Sequence, residues 1–311
     1  IIIPESEIAS KIRFEQPLEQ LARSRYESRA GRTNSVLSEL SLPPRAENRN
    51  AIVFFLDIAQ FTGRCERYPP EEIVSQINNM FEKITEIITE NDGDIDKFMG
   101  DACMSFWFDE GDSPNAEKCL NSVLEIQSAI TELNALDPIL KDDPLKIRMG
   151  LNSGNVILCD LGAAKARVDL TMIGDAVNIA ARLEGLTKLY KTPLLISGET
   201  LLKIDDSIFE TRLIDKVAVK GKVKPIMVYE VLNGESSDLR DAKKSTLPKF
   251  RKGFELYQNQ QFENALELFR KCTEKVPEDG VAELYIERCQ KLLSSGWDTE
   301  TWDGINYMDA K

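Results

Sequence analysis

From Ala51 to Leu56 the chain reads AIVFFL, an unbroken apolar run of the kind shown by a strand buried on both faces. It ends on Asp57, a residue type rarely buried without a partner. Downstream, PPEEIVSQINNMFEKITEIITEN opens with prolines and glutamates, and Ile73, Ile77, Phe81, Ile84 and Ile88 recur at helical spacing. DGDIDKFMGDACMSFWF then reads as strand, tight Gly100-Asp101 turn, strand. A second helix is predicted over about Asn115 to Leu136. KIRMGLNSG and NVILCDLG read as another strand pair around Ser153-Gly154, and GDAVNIAARLEGLTKLY as a third helix. Strands are expected near Pro193–Ile196, Arg212–Lys220 and Ile226–Leu232. This order predicts an α+β sandwich, with helices on one face of a mainly antiparallel sheet.

The flanks read differently. Residues 1–50 are rich in Arg and Ser and broken by Pro17, Gly31, Pro43 and Pro44, as a coupling segment or linker is. The alternating pattern fills 51–232, a polar linker (GESSDLRDAKKS) falls within 233–246, and 247–311 turns helical. Phe254, Tyr257, Phe262, Ala265, Leu266, Phe269, Ala282, Leu284 and Tyr285 suggest three packed segments resembling one tetratricopeptide-type hairpin plus a following helix. One such unit cannot bury both its faces alone, so it is expected to dock on the main domain or on a protein partner. A structural brace is the favoured reading, because a binding groove generally takes several repeats.

Composition removes whole classes of chemistry. A net charge of −13 argues against a nucleic-acid-binding face. The absence of histidine excludes Ser-His-Asp and Cys-His machinery and every His-ligated metal site. Six scattered cysteines without a CxxC argue against a disulfide framework or zinc cage, and a reducing cytoplasmic setting is the default. No apolar run is long enough to span a bilayer. The chain opens on Ile1 rather than Met, as a piece of a longer polypeptide does, and a membrane anchor upstream is compatible with it.

Asp57 would be an ordinary helix N-cap and Asp101 an ordinary turn residue if each stood alone. Pairing the 94–108 hairpin beside the Ala51–Leu56 strand would instead bring the two carboxylates together. Converging carboxylates repel unless a hard cation lies between them, and a pair of Mg ions would supply phosphoryl-transfer electrostatics as well.

FFLDIAQFT, DKFMGDACMSFW, IRMGLNSGNVI, TMIGDAVNIAARLE and VKGKVKPIMVYEV, in that order, resemble the catalytic domain of class III nucleotidyl cyclases over roughly residues 51–232. The resemblance implies a ferredoxin-like, palm-type sandwich, working as a homodimer with its sites at the interface. It also implies that Asp57, Asp101 and the Ile58 carbonyl bind two Mg ions, with Mn as a substitute, and that ATP is converted to cyclic AMP and pyrophosphate. Backbone amides up to Phe61 and Thr62 would cradle the phosphates. Lys97 stands where adenylyl cyclases of this family read adenine and guanylyl cyclases carry an acid; Thr171 occupies the second purine-reading position. Asn178 and Arg182, four apart on one helical face, match the ribose-orienting and transition-state residues. Lys220 matches the terminal-phosphate lysine, with Lys222 its close competitor. On base rates alone, a strand-edge charge for Lys97 and a solvated helix face for Asn178 and Arg182 would be the commoner explanations.

One position departs from the family. Gln60 stands where Gly is usual in the phosphate loop, which suggests a catalytically weak or silent nucleotide-binding module as the rival reading. Retention of both aspartates, Lys97, Asn178 and Arg182 favours an active enzyme. A diguanylate cyclase is disfavoured, because GDAC stands where GG[DE]EF would be.

Overall fold

The strand that carries the apolar run begins earlier, in polar residues. In the computed structural model, which describes residues 46–109, 115–163, 167–205, 207–219, 225–295 and 302–308, strand β1 covers Ala46–Ile58. Of the coupling segment expected over 1–50, residues 46–50 belong to β1 instead, while 1–45, and both Lys220 and Lys222, lie outside the described residues. Short α1 (Phe61–Arg67) and long α2 (Pro70–Glu90) follow, then the hairpin β2 (Asp94–Met99) and β3 (Ala102–Phe108). Next come α3 (Asn115–Leu136), α4 (Pro138–Asp142), β4 (Ile147–Ala163), β5 (Arg167–Ile173) and α5 (Asp175–Tyr190). The domain closes with β6 (Leu194–Ser197), α6 (Gly198–Leu201), β7 (Thr211–Val219) and β8 (Ile226–Val231). Helices α7 (Ser237–Gln258), α8 (Phe262–Lys275) and α9 (Gly280–Ser295) and a final strand β9 (Asn306–Met308) complete the described chain.

The strands are ordered β2-β3-β1-β4-β6-β8-β7-β9. β1 runs antiparallel to β3 with Leu56 opposite Cys103, so the residue after Leu56 lies at the same sheet end as the Gly100-Asp101 turn. Glu47–Leu158 and Met172–Lys311 form one compact unit and Cys159–Thr171 belongs to another; β5 pairs with β4.

Helices cover both faces of the sheet rather than the expected one. On β6, Leu194 and Ile196 join the core formed with Met80, Ile84, Leu120 and Val123 of α2 and α3. Leu195, one residue between them and so on the other face, joins Ile179 and Leu183 of α5 and Phe250, Phe269 and Tyr285 of α7 to α9. Among the described residues, no helix is long and apolar enough to cross a membrane.

Two further expectations change. KIRMGLNSG and NVILCDLG form one continuous strand of 17 residues, not a pair turning at Ser153-Gly154. Gly154 is there for close approach: a Cβ on it would stand 2.9 Å from the Ala176 Cβ of α5. The polar stretch read as a linker is helical from Ser237, because Ser236 caps α7 and Lys243 is buried in ion pairs with Glu230 and Glu235 at 2.6 and 2.5 Å. Polar residues that are buried in pairs leave no apolar stripe to read.

The helical extension docks on its own domain. Arg212 of β7, fully buried, donates to Glu230 of β8 and to Asp279 before α9, the latter at 2.7 Å. Lys191, just past α5, pairs with Glu283 of α9 at 2.6 Å.

Candidate active site

Asp57 does not cap a helix. The N-cap of α1 is Gln60, whose side chain makes no capping hydrogen bond, while the Asp57 carboxylate pairs with the Arg148 guanidinium. Arg148 lies near the start of β4, and its Nε stands 3.2 Å from Glu184 Oε1 on α5. Gly150 makes this possible: a Cβ there would come within 2.3 Å of the Glu184 backbone nitrogen, so only glycine lets α5 lie this close to β4.

Asp101 completes the cluster from the hairpin turn, where Gly100 takes the left-handed conformation at φ 67°. Burial pushes its carboxyl up to about 6, the Asp57 charge adds to this, and Arg148 opposes it. Glu184 is raised to about 7, chiefly by burial and then by Asp57. Arg148 pairs with Asp57 and Glu184, and Asp101 feels the charges of both Asp57 and Arg148; the acidic excess is of a kind that a hard divalent cation would relieve. The expected pair Asp57 and Asp101 is brought together, with Ile58 buried at the last position of β1. Arg148 and Glu184 were not singled out from the sequence. Their signal was the IRMG and ARLE blocks, where each reads as a surface charge until Gly150 and α5 are in place.

Helix α1 is fixed from beneath. Buried Arg64 donates from Nε to Gln76 Oε1 at 3.0 Å and from Nη1 to the Asp143 carbonyl at 2.7 Å. Phe61 packs against the core and Thr62 is exposed, so the first turn of α1 stands at the end of β1 with its amides unobstructed by side-chain caps. Gln60 takes the backbone conformation that family glycine would supply, with φ 59° and ψ 29°. A non-glycine residue in this left-handed conformation costs about 1–2 kcal/mol. Gln60→Gly removes that cost but loses about 0.5–1 kcal/mol through the extra entropy of the unfolded chain. The expected outcome is a small rise in melting temperature by scanning calorimetry, corresponding to a gain of up to about 1 kcal/mol.

The other candidates lie on β2, β5 and α5. Lys97 follows a bulge in β2 at which Asp96 is the extra residue. Its ammonium lies 3.3 Å from Asp96 Oδ2. Asp96 itself is buried and accepts from the Met172 backbone N–H at 3.3 Å, a contact that the sequence did not announce. Thr171 is buried near the end of β5. Asn178 and Arg182 lie on the exposed face of α5, while Ile179 and Leu183 face the core and Glu184 points toward Arg148.

The family model described as the adenylate and guanylate cyclase catalytic domain matches residues 44–233. A terminal-differentiation-specific adenylate cyclase from Dictyostelium discoideum is 34% identical over 247 residues, 78% of this chain and 11% of that protein. An adenylate cyclase from Anabaena cylindrica is 35% identical over 192 residues, 60% of this chain and 37% of that protein. The chain thus spans well under half of either relative. The crystal structure of the adenylyl cyclase CyaB from P. aeruginosa superposes with a TM-score of 0.52 at 29% identity, covering 60% of this chain and 95% of that one. With fold, ordered motifs and sequence similarity in agreement, the chain belongs to the class III adenylate and guanylate cyclase catalytic-domain family.

Proposed function

We propose that this chain is an adenylyl cyclase that converts ATP to 3′,5′-cyclic AMP and pyrophosphate at sites shared between two copies of itself. The observation that carries the reading is the convergence of Asp57 and Asp101 at one sheet end, with Asp101 raised to about 6, while Asn178 and Arg182 face outward on α5. A site using all four groups is completed by a second copy, and a two-fold dimer supplies the missing face twice.

Asp57, Asp101 and the Ile58 carbonyl would hold two Mg or Mn ions. When bound, these ions supply Lewis acidity at the ribose 3′-hydroxyl and charge neutralisation at the triphosphate. The chain's own groups do the rest. Amides of Phe61 and Thr62 bind phosphate oxygens. Lys97 donates to adenine N1, and the Thr171 hydroxyl accepts from the adenine amino group. Asn178 orients the ribose, and Arg182 stabilises the charge that builds on the α-phosphoryl oxygens as the 3′-oxygen attacks and pyrophosphate leaves. Lys220 would neutralise the terminal phosphates.

The choice of adenine rests on Lys97, since an ammonium would meet an N–H donor at the same position of guanine. Purified protein with Mn-ATP should form cyclic AMP, and Lys97→Glu should lower kcat/KM for ATP by about 100-fold with little change in melting temperature. Only a partial gain with GTP is expected, because Thr171 is unchanged. ATP kinetics that do not respond to Lys97→Glu would reduce Lys97 to a strand-edge charge.

A further inference from the structure

Asp215 of β7 is fully buried at a register shift between β7 and β8 and gathers groups from three elements. It accepts from the Tyr190 hydroxyl, at the last residue of α5. It also accepts from Arg288 Nη1 of α9 at 2.8 Å and from Asn306 Nδ2 of β9 at 2.6 Å. The Lys216 N–H is directed to the same carboxylate at 2.7 Å. The Arg288 guanidinium balances its charge and lies over the Tyr285 ring, 5.0 Å from the centroid.

The tail that brings Asn306 is itself clipped in place. Trp302 packs edge-on against Tyr257 and Phe262, with centroids 5.3 and 5.1 Å away, and donates Nε1–H to the Gln258 carbonyl. Gln258 in turn donates to the Gly304 carbonyl at 2.7 Å, and β9 then pairs parallel with β7 from Val217 to Val219. Val219 directly precedes the Lys220 segment.

We propose that Asp215 is a positioning residue for the cyclase reaction: it clamps the end of α5 to α9 and to the tail, so that the C-terminal extension sets where Asn178 and Arg182 stand. The inference rests on the roles proposed above for those two residues. Helix α5 runs unbroken from Asp175 to Tyr190, so Asn178 and Arg182 share one helix with the clamped end. Ile179 and Leu183 share their core with Phe250 and Tyr285, so the extension supports the same helix along its length. Displacements near an ångström at such groups cost rate rather than affinity.

Two mild variants of the full chain test this: Tyr190→Phe, which deletes one hydroxyl, and Asn306→Ala, which releases the tail from Asp215. Each should lower kcat about tenfold, leave KM for Mn-ATP within about twofold, and speed hydrogen exchange in the 175–190 peptides. The double variant should be no slower than the worse single one, because both act through one carboxylate. A lowered melting temperature with unchanged kcat in both, or losses that multiply in the double variant, would overturn the inference. If Tyr190→Phe does not fold, Asn306→Ala decides alone. A wild-type protein that makes no cyclic AMP would defeat the proposed function and this inference with it. An active wild type with indifferent variants would defeat only the inference.

Discussion

Asp101→Asn is expected to abolish cyclic-nucleotide formation, by about 10³-fold or more, while making the metal-free protein more stable at pH 8. Loss of activity follows from removing one of two carboxylates that would hold the cations, and Asp57→Asn should be equally inactive. The gain in stability follows from the direction of the Asp101 shift. Burial, and then Asp57, raise its carboxyl from 3.8 to about 6, so the folded state favours the protonated form. That contribution is fully present below the unfolded value and is lost as pH rises through about 6. Glu184, raised to about 7, acts in the same sense over a slightly higher window. Asparagine carries no charge to repel Asp57 at any pH. Thermal melts should therefore show the variant above wild type at pH 8, with the gap closing toward pH 4. Adding Mn should raise the wild-type melt and leave the variant nearly unmoved. A variant that melts lower than wild type at pH 8 would mean the cluster is an ordinary ion-pair network.

Arg212→Ala should be the most damaging single change to the fold. Its guanidinium, without solvent exposure, holds Glu230 and Asp279, and the variant leaves both carboxylates buried with one partner fewer. Breaking a buried pair from one side costs about 3–5 kcal/mol, far more than the net worth of the pair. For Glu230, burial pushes the carboxyl up, but Arg212 and Lys243 outweigh it and hold it at about 2. This stabilisation is fully present above the usual glutamate value and is lost progressively as pH falls from there through about 2. Wild type should thus keep its extension docked at pH 4, whereas Arg212→Ala should expose it. Limited proteolysis between β8 and α7, together with a melt lower by several degrees, would report both effects. A variant as protease-resistant and as stable as wild type would show that apolar packing alone holds the extension.

How much of this was legible in the sequence depends on whether the deciding contacts were local. The β2–β3 hairpin, α2, α3 and α5 were readable because period and turn residues are written within each segment. Strand β4 was misread because Ser153-Gly154 looks like a turn, and only the distant Ala176 explains the glycine. The start of α7 was missed because Lys243 and Thr246 are buried polar residues, and β9 because three residues of strand carry no pattern. At the site, Asp57 and Asp101 could be paired by following strand order. Arg148, Glu184 and Asp96 could not, since their partners lie 91, 36 and 76 residues away along the chain, at Asp57, Arg148 and Met172. The roles of Lys97, Thr171, Asn178, Arg182 and Lys220 came from ordered resemblance rather than from any local physics.

The central claim, a cyclase site divided between two copies, is tested most directly by mixing two inactive proteins. Asp57→Ala removes a carboxylate proposed to hold the cations, and Arg182→Ala removes the cation proposed to stabilise the transition state from the other face. Each homodimer should be nearly inactive. Co-expressed with different tags, the two should form mixed dimers in which one site carries both lesions and the other carries none. With random pairing about half the dimers are mixed and each holds one intact site, so roughly a quarter of wild-type cyclic AMP formation from Mn-ATP should return. Mixed dimers isolated by both tags that show no activity above the two backgrounds would contradict the account.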